Sequence, residues 1–178
     1  HGPGGHSKGE TMNTSTTRRM LVTTSIALLT VLLAASAIAE VHYVSWVPTD
    51  DACVDSAFPS ANYGTSINLY AGDRTPAGGG TCLIFLQFDI SDLTPDNTIL
   101  NAELLLRKHE KYGAPETQIP VSCHAITAPG WSENAITWNA PPAYASAATA
   151  TVTSTFIPPG WVSWNVTADV IADHMQNR

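Results

Sequence analysis

The sequence predicts an all-β protein, an antiparallel β-sandwich of jelly-roll type with a short helix near its C-terminal end. Three observations carry this expectation. From Val41 onward the 178-residue chain runs in short apolar stretches cut by Pro, Gly, Asn and Asp, with no sustained helical period before its last residues. Several of those stretches alternate apolar with polar side chains at a period of two, as a pleated strand with one buried face requires. Charged residues make up only 13% of the chain, a share that suits a β-rich exported protein better than a solvated helical bundle.

The N-terminal part reads as an address rather than as fold. Residues 1–19 join a Gly-rich tail to the basic pair Arg18-Arg19. His1 and His6 are potential metal ligands, but the composition points instead to a disordered tail. Residues 20–39 form an apolar signal-peptide helix that closes on Ala37-Ile38-Ala39, an A-x-A cleavage pattern, so Glu40 is the expected first residue after cleavage. A membrane anchor is the rival reading, since residues 20–39 are long enough to span a bilayer. Five Ser or Thr, and a small-residue end with no positive stop, favour cleavage. The protein is then secreted, residues 40–178 hold the sandwich domain, and a membrane is met only through an uncleaved signal segment.

Charge narrows the partners. The net charge is −7, and from Glu40 on the chain holds 14 acids against 5 bases. Such a surface repels phosphate backbones, which argues against nucleic acid, and it repels an acidic polysaccharide unless a cation bridges the two.

Within the domain, "HYVSWVP" and "DACVDS" are the first expected strands. "PSANYG" is a turn punctuated by Pro59, Asn62 and Gly64. "SINLYAG" reads as a third strand and "DRTPAGGG" as a flexible loop, because three glycines lose much entropy in any regular structure. The strongest strand signal is "TCLIFLQFDI", with Ile84, Leu86 and Phe88 facing one way and Phe85, Gln87 and Asp89 the other. "SDLTPDNT" turns the chain into "ILNAELLLRKHE", where Ala102, Leu104 and Leu106 oppose Glu103, Leu105 and Arg107. A helix is the rival reading there; close flanking turns and polar residues without helical spacing favour a strand. "QIPVSCHAIT", "ATVTSTFI" and "GWVSWNV" complete the set. In the last, Trp161, Ser163 and Asn165 alternate with Val162, Trp164 and Val166, so at most one of the two tryptophans can be core. Thr167 is placed to cap the helix "ADVIADHMQNR", with Asp169 in its favourable first turn.

Cys53, Cys82 and Cys123 all fall in expected strands. Export permits a disulfide, and one is expected. An odd count leaves one thiol over, and spacing cannot choose among three pairings. Three small buried hydrophobes are the alternative. His124 neighbours Cys123 but points to the other face of its strand, which makes it a poor base for that thiol.

Taken in order, "DACVDSAFPSANYG", "LYAG", "FLQFDIS", "LNAELLL", "WSENAITWNAPP" and "WVSWNVTADV" resemble the DNRLRE domain, also classed as a carbohydrate-binding module family 96-like domain. The resemblance runs from about Asp50 to about Val170. It implies a secreted jelly-roll module of the kind found in archaeal surface and disaggregatase-type proteins and attached to bacterial polysaccharide-degrading enzymes. In its pattern Trp131, Glu133, Ile136 and Trp138 recur as a set. It also implies two or more strands beyond the helix, and this sequence reaches Arg178 soon after it. The resemblance therefore implies either that the sequence is a fragment holding an incomplete domain, or that those strands are supplied by other domains or chains.

Candidate ligand contacts are aromatic. A sugar exposes C–H groups on one side, which an aromatic plane can bury while carboxylates and amides bind hydroxyls. Trp131, Trp161, Trp46 and Tyr63 are the carbohydrate-binding candidates. Core packing competes as the role of Trp131 and Trp138, and packing over the sandwich end as that of Tyr63. Asp50, Asp51, Asp55 and Asn62 are candidate oxygen ligands for a structural Ca²⁺, although no EF-hand spacing is present and solvated turn aspartates are common. No other cofactor is implied. Catalytic machinery has no signature: there is no G-x-S-x-G, H-E-x-x-H or P-loop. Nothing pairs Glu103, Glu133 and Asp89 as a glycosidase would, and His42, His109, His124 and His174 stand singly. Asn165-Val166-Thr167 is a glycosylation sequon, meaningful only in a host that glycosylates exported asparagines.

The expected function is a secreted, non-catalytic module that binds a polysaccharide or cell-surface glycan through exposed aromatics. Two alternatives stand beside it. One is a structural or adhesive module of a cell surface or extracellular matrix, with no sugar site. The other is part of a polysaccharide-degrading enzyme. Burial separates binder from structural module: two or more exposed Trp or Tyr on one sheet face mark the former, five buried Trp the latter.

Overall fold

Alternation in the sequence becomes pairing in space. In the computed structural model, which describes residues 40–74, 78–109, 118–128, 130–154 and 159–176, seven strands and a helix follow one another. They are β1 (Asp50–Asp55), β2 (Gly72–Asp73), β3 (Thr81–Gln87), β4 (Glu103–Lys108), β5 (Ile119–Cys123), β6 (Ala150–Ser154), β7 (Gly160–Asn165) and α1 (Thr167–Gln176). The strands form antiparallel sheets in the orders β1-β3-β2, β4-β7 and β5-β6. The all-β expectation holds, including the strand reading of "ILNAELLLRKHE". Residues 1–44 and 45–178 are separate units, and all these elements lie in the second. The expected signal segment 20–39 and the tail before it lie outside the described residues, as does the centre of the Gly-rich loop.

Two expected strands do not form. "HYVSWVP" has no ladder partner, and the Trp46 indole N–H turns instead to Asp92 Oδ1 at 2.9 Å. "SINLYAG" contributes only its last residue, Gly72, to β2. Local bonds win there: Ser66 Oγ donates to the Asn68 carbonyl at 2.7 Å and accepts the Asn68 N–H at 3.3 Å. Such side-chain bonds offer the backbone an alternative to a ladder. Ile67 is left 97% exposed, with no sheet face to fill.

The register Asp50↔Gln87 through Asp55↔Cys82 puts Ala52, Val54, Leu83 and Phe85 on one face. Ala52, Val54 and Phe85 join Ile136 as the buried core, with Leu83, Ile126, Trp131 and Trp138 packed against it. The Phe85 ring meets Trp131 edge-on at 6.2 Å and Tyr144 at 6.1 Å. Each fully buried side chain of the Val or Phe class contributes about 1.5–3 kcal/mol.

The segment "GWSENAITWNAPP" is thus a lid on this sheet, and polar bonds fix its place. Glu133 N donates to Asp50 Oδ1 at 3.2 Å, and Asp51 N donates to Glu133 Oε2 at 3.3 Å. Asn62 Nδ2 donates to the carbonyls of Glu133 and Ile136, both at 2.7 Å. Gly64 is required beside them, since a Cβ there would run into the Glu133 carbonyl.

On β4 and β7 the inward side chains are Leu104, Leu106, Val162 and Trp164. Trp164 is 5% exposed, and its indole N–H donates to the Val121 carbonyl of β5 at 2.8 Å. That bond ties the β4-β7 pair to the β5-β6 pair and satisfies the buried indole. The helix start differs from expectation. The Thr167 hydroxyl accepts the Ala102 N–H at 2.9 Å rather than capping α1, and Asn165 Oδ1 accepts the Thr167 N–H at 3.1 Å. Asp169, in the first turn as expected, accepts from Thr149 Oγ1 at 2.6 Å.

Candidate functional site

Because side chains alternate along a strand, the burial of Trp164 forces Trp161 outward. Of the five tryptophans Trp161 alone is exposed, at 69%. The register places Arg107 opposite Trp161, Leu105 opposite Ser163 and Glu103 opposite Asn165. All six side chains are exposed on one face. Its apolar part is Trp161 with Leu105, itself 52% exposed. Its polar part is already ordered: Ser163 Oγ donates to Glu103 Oε2 at 2.8 Å, and Asn101 Nδ2 donates to Glu103 Oε1 at 3.3 Å. An aromatic plane beside a held carboxylate, a hydroxyl and a guanidinium is the donor and acceptor set that a sugar ring presents a use for. Trp161 to Asn165 spans about 13 Å of strand.

The other aromatic candidates do not join this face. Trp131 is half-buried and packs edge-on against Phe85 in the core. Trp46 is half-buried and bonded to Asp92. Tyr63 is half-buried over the reverse side of the core sheet; burial first, then Asp55, Cys53 and Cys82, push its hydroxyl pKa up. So among the described residues no second Trp or Tyr joins Trp161 on the β4-β7 face; the exposed Tyr43 and Tyr144 lie outside these strands. One tryptophan stands out, flanked by Leu105 and Arg107, residues that only the pairing of β4 with β7 could have brought to attention.

Three of the four candidate calcium ligands, Asp50, Asp55 and Asn62, hold side-chain bonds within the protein. Asp50 Oδ1 accepts from Glu133 N, while Asp51 points to the opposite face of β1. Asn62 spends its amide on two carbonyls. Asp55 is buried: Oδ1 accepts the N–H groups of Ala57 at 2.8 Å and Gly80 at 2.9 Å, and Oδ2 lies 3.6 Å from Arg74 Nη1. The Arg74 guanidinium in turn lies 4.0 Å over the Tyr70 ring. Among the described residues no group of three or more His, Cys, Asp or Glu could hold a metal ion.

The three cysteines are free thiols in the structure, so the expected disulfide is not formed in it. Cys53 and Cys82 are buried on the reverse face of the core sheet and Cys123 is half-buried on β5. His124 Nδ1 lies 2.9 Å from the Ala145 carbonyl, away from thiol chemistry.

One cavity, of about 390 Å³, lies between the β3-β4 connection and α1, walled by Phe88, Asp89, Ser91, Leu93, Asp173 and His174. Two carboxylates at one cavity raise the question of hydrolysis. Asp89 is exposed, and hydrogen bonds from Ser91 hold its pKa below the ordinary carboxylate value. A general acid needs the opposite shift.

Comparison with known families decides the classification. The model of carbohydrate-binding module family 96 matches residues 42–178. This chain belongs to that family. The match is wider at both ends than the stretch whose motifs carried the resemblance. A comparison with curated proteins returns no significant match. Membership of family 96 makes a carbohydrate ligand the implied partner, and the only exposed tryptophan of this family 96 chain lies on the β4-β7 face.

Proposed function

We propose that the protein is a secreted, non-catalytic module that binds a polysaccharide on the outward face of β4 and β7. The observation that carries this reading is Trp161, exposed on a sheet face beside Leu105, with Glu103, Ser163 and Arg107 around it. The indole plane covers the C–H side of a sugar ring, and burial of that apolar area drives association. The ordered Glu103 carboxylate accepts sugar hydroxyls with little further loss of side-chain entropy, and Arg107 donates to ring or hydroxyl oxygens. The face needs no metal ion. Family membership supports binding without catalysis.

A second reading is favoured by one observation. A single exposed tryptophan is less than the aromatic strip of a typical glycan platform, which suits a structural or adhesive module. Affinity electrophoresis separates the two. The protein is run through gels containing a panel of neutral and acidic glycans, with and without Ca²⁺, beside Trp161→Ala. Retardation on at least one glycan, lost in Trp161→Ala and unchanged by chelator, is the expected result. No retardation on any glycan removes the binding reading.

A further inference from the structure

The register of the core sheet sets Cys53 opposite Ile84 and Cys82 opposite Asp55. Both thiols therefore project from the same face of β1 and β3, as diagonal neighbours, only 2% and 1% exposed. The bond from Ser56 N to the Thr81 carbonyl shows that even-numbered residues of β1 make the ladder bonds. Cys53 and Cys82 thus occupy non-hydrogen-bonded sites, each directly facing Ile84 or Asp55 and meeting the other across the diagonal. Cys123 lies on β5, in a different sheet.

We propose that Cys53 and Cys82 are the pair that oxidation joins, tying β1 to β3, and that Cys123 is the odd thiol. With a disulfide oxidant such as oxidised glutathione the exchange balances. One protein thiolate attacks the oxidant and displaces a glutathione thiolate, and the second attacks the mixed disulfide and displaces the other. Two S–H bonds are lost, one protein S–S bond forms, and two glutathione thiols carry away the electrons and protons. Diagonal Cα atoms stand about 7–8 Å apart, slightly beyond the usual disulfide span, so the bridge draws the strands together. Among the described sheets β1 is an edge strand, so it can shift without breaking a second ladder. Burial blocks oxidant access in the folded thiol form and raises the Cys82 pKa, so the bridge forms before the pairing of β1 with β3 is buried.

The test does not depend on the glycan reading. The full chain is refolded in a glutathione redox buffer, unfolded without reductant, titrated for thiols, and mapped by mass after digestion. The expected result is one free thiol, at Cys123, and a linked pair of peptides carrying Cys53 and Cys82. Cys123→Ser refolded in the same way should leave no thiol to titrate, which keeps the test sharp even if a Cys53 or Cys82 variant fails to fold. Three titratable thiols, or a bridge that includes Cys123, would overturn the proposal.

Discussion

Asp55 shows how much one side chain can hold. It closes the end of the β1-β3 pair by accepting the Ala57 and Gly80 N–H groups, and a Cβ at Gly80 would press on its Oδ1. Burial acts to raise its pKa, but the bonds from Ala57 and Gly80, the Cys82 thiol and the Arg74 charge outweigh it, so the carboxyl titrates below the ordinary range. A carboxylate with a depressed folded pKa contributes stability above its unfolded pKa of roughly 3.9 and loses it as pH falls through the lower folded value. The thermal midpoint is therefore expected to hold from neutral pH to about 5 and to fall below about pH 4, and Asp55→Asn should flatten that acid limb. Circular dichroism melts across pH check this. Asp55→Ala, which strands Arg74 without its partner, should cost about 3 kcal/mol. The sequence showed an acid at a strand end; nothing in it showed that Arg74, beyond 18 intervening residues, would return to it.

The two tryptophans of β7 are the sharpest residue-scale contrast. Trp164→Ala removes a buried ring and its bond to Val121, and should destabilise the protein by about 3–5 kcal/mol in a denaturant titration. Trp161→Ala should change stability by less than about 0.5 kcal/mol. The sequence established that at most one of the pair could be core. It could not say which, because that depends on where β5 lies.

At the scale of elements, the lid 130–142 and the turn 62–64 stand or fall together. Asn62 binds two lid carbonyls, and Gly64 leaves room for the Glu133 backbone. Asn62→Ala leaves both carbonyls short of a donor and should cost about 2 kcal/mol by chemical denaturation. Strands with clean alternation, such as β3 and β4, were legible because their period follows directly from one buried face. "SINLYAG" was misread because Ser66 and Asn68 satisfy each other locally, a bond that composition does not reveal. The cap of α1 was misplaced because Thr167 had a better partner in Ala102, more than 60 residues away.

At the scale of the whole molecule, the acidic balance and the β4-β7 face act together. The net charge of −7 sets a repulsive background for acidic glycans, so binding through one indole and its polar rim favours neutral ones at low salt. Trp161 itself was legible as an outward candidate from its alternation with Trp164. Its surroundings were not, because β4 and β7 are distant in sequence and only their register sets Leu105, Arg107 and Glu103 beside it. Trp131 and Trp46 spend their rings on the protein, against Phe85 and Asp92, and Tyr63 is half-buried.

The most direct measurement is an NMR titration of the five indole N–H signals with an oligosaccharide of the retained glycan. The Trp161 signal should shift and saturate while those of Trp164 and Trp131 stay in place. Saturable shifts at Trp46 or Trp131 with Trp161 unmoved would put the sugar elsewhere and contradict the account.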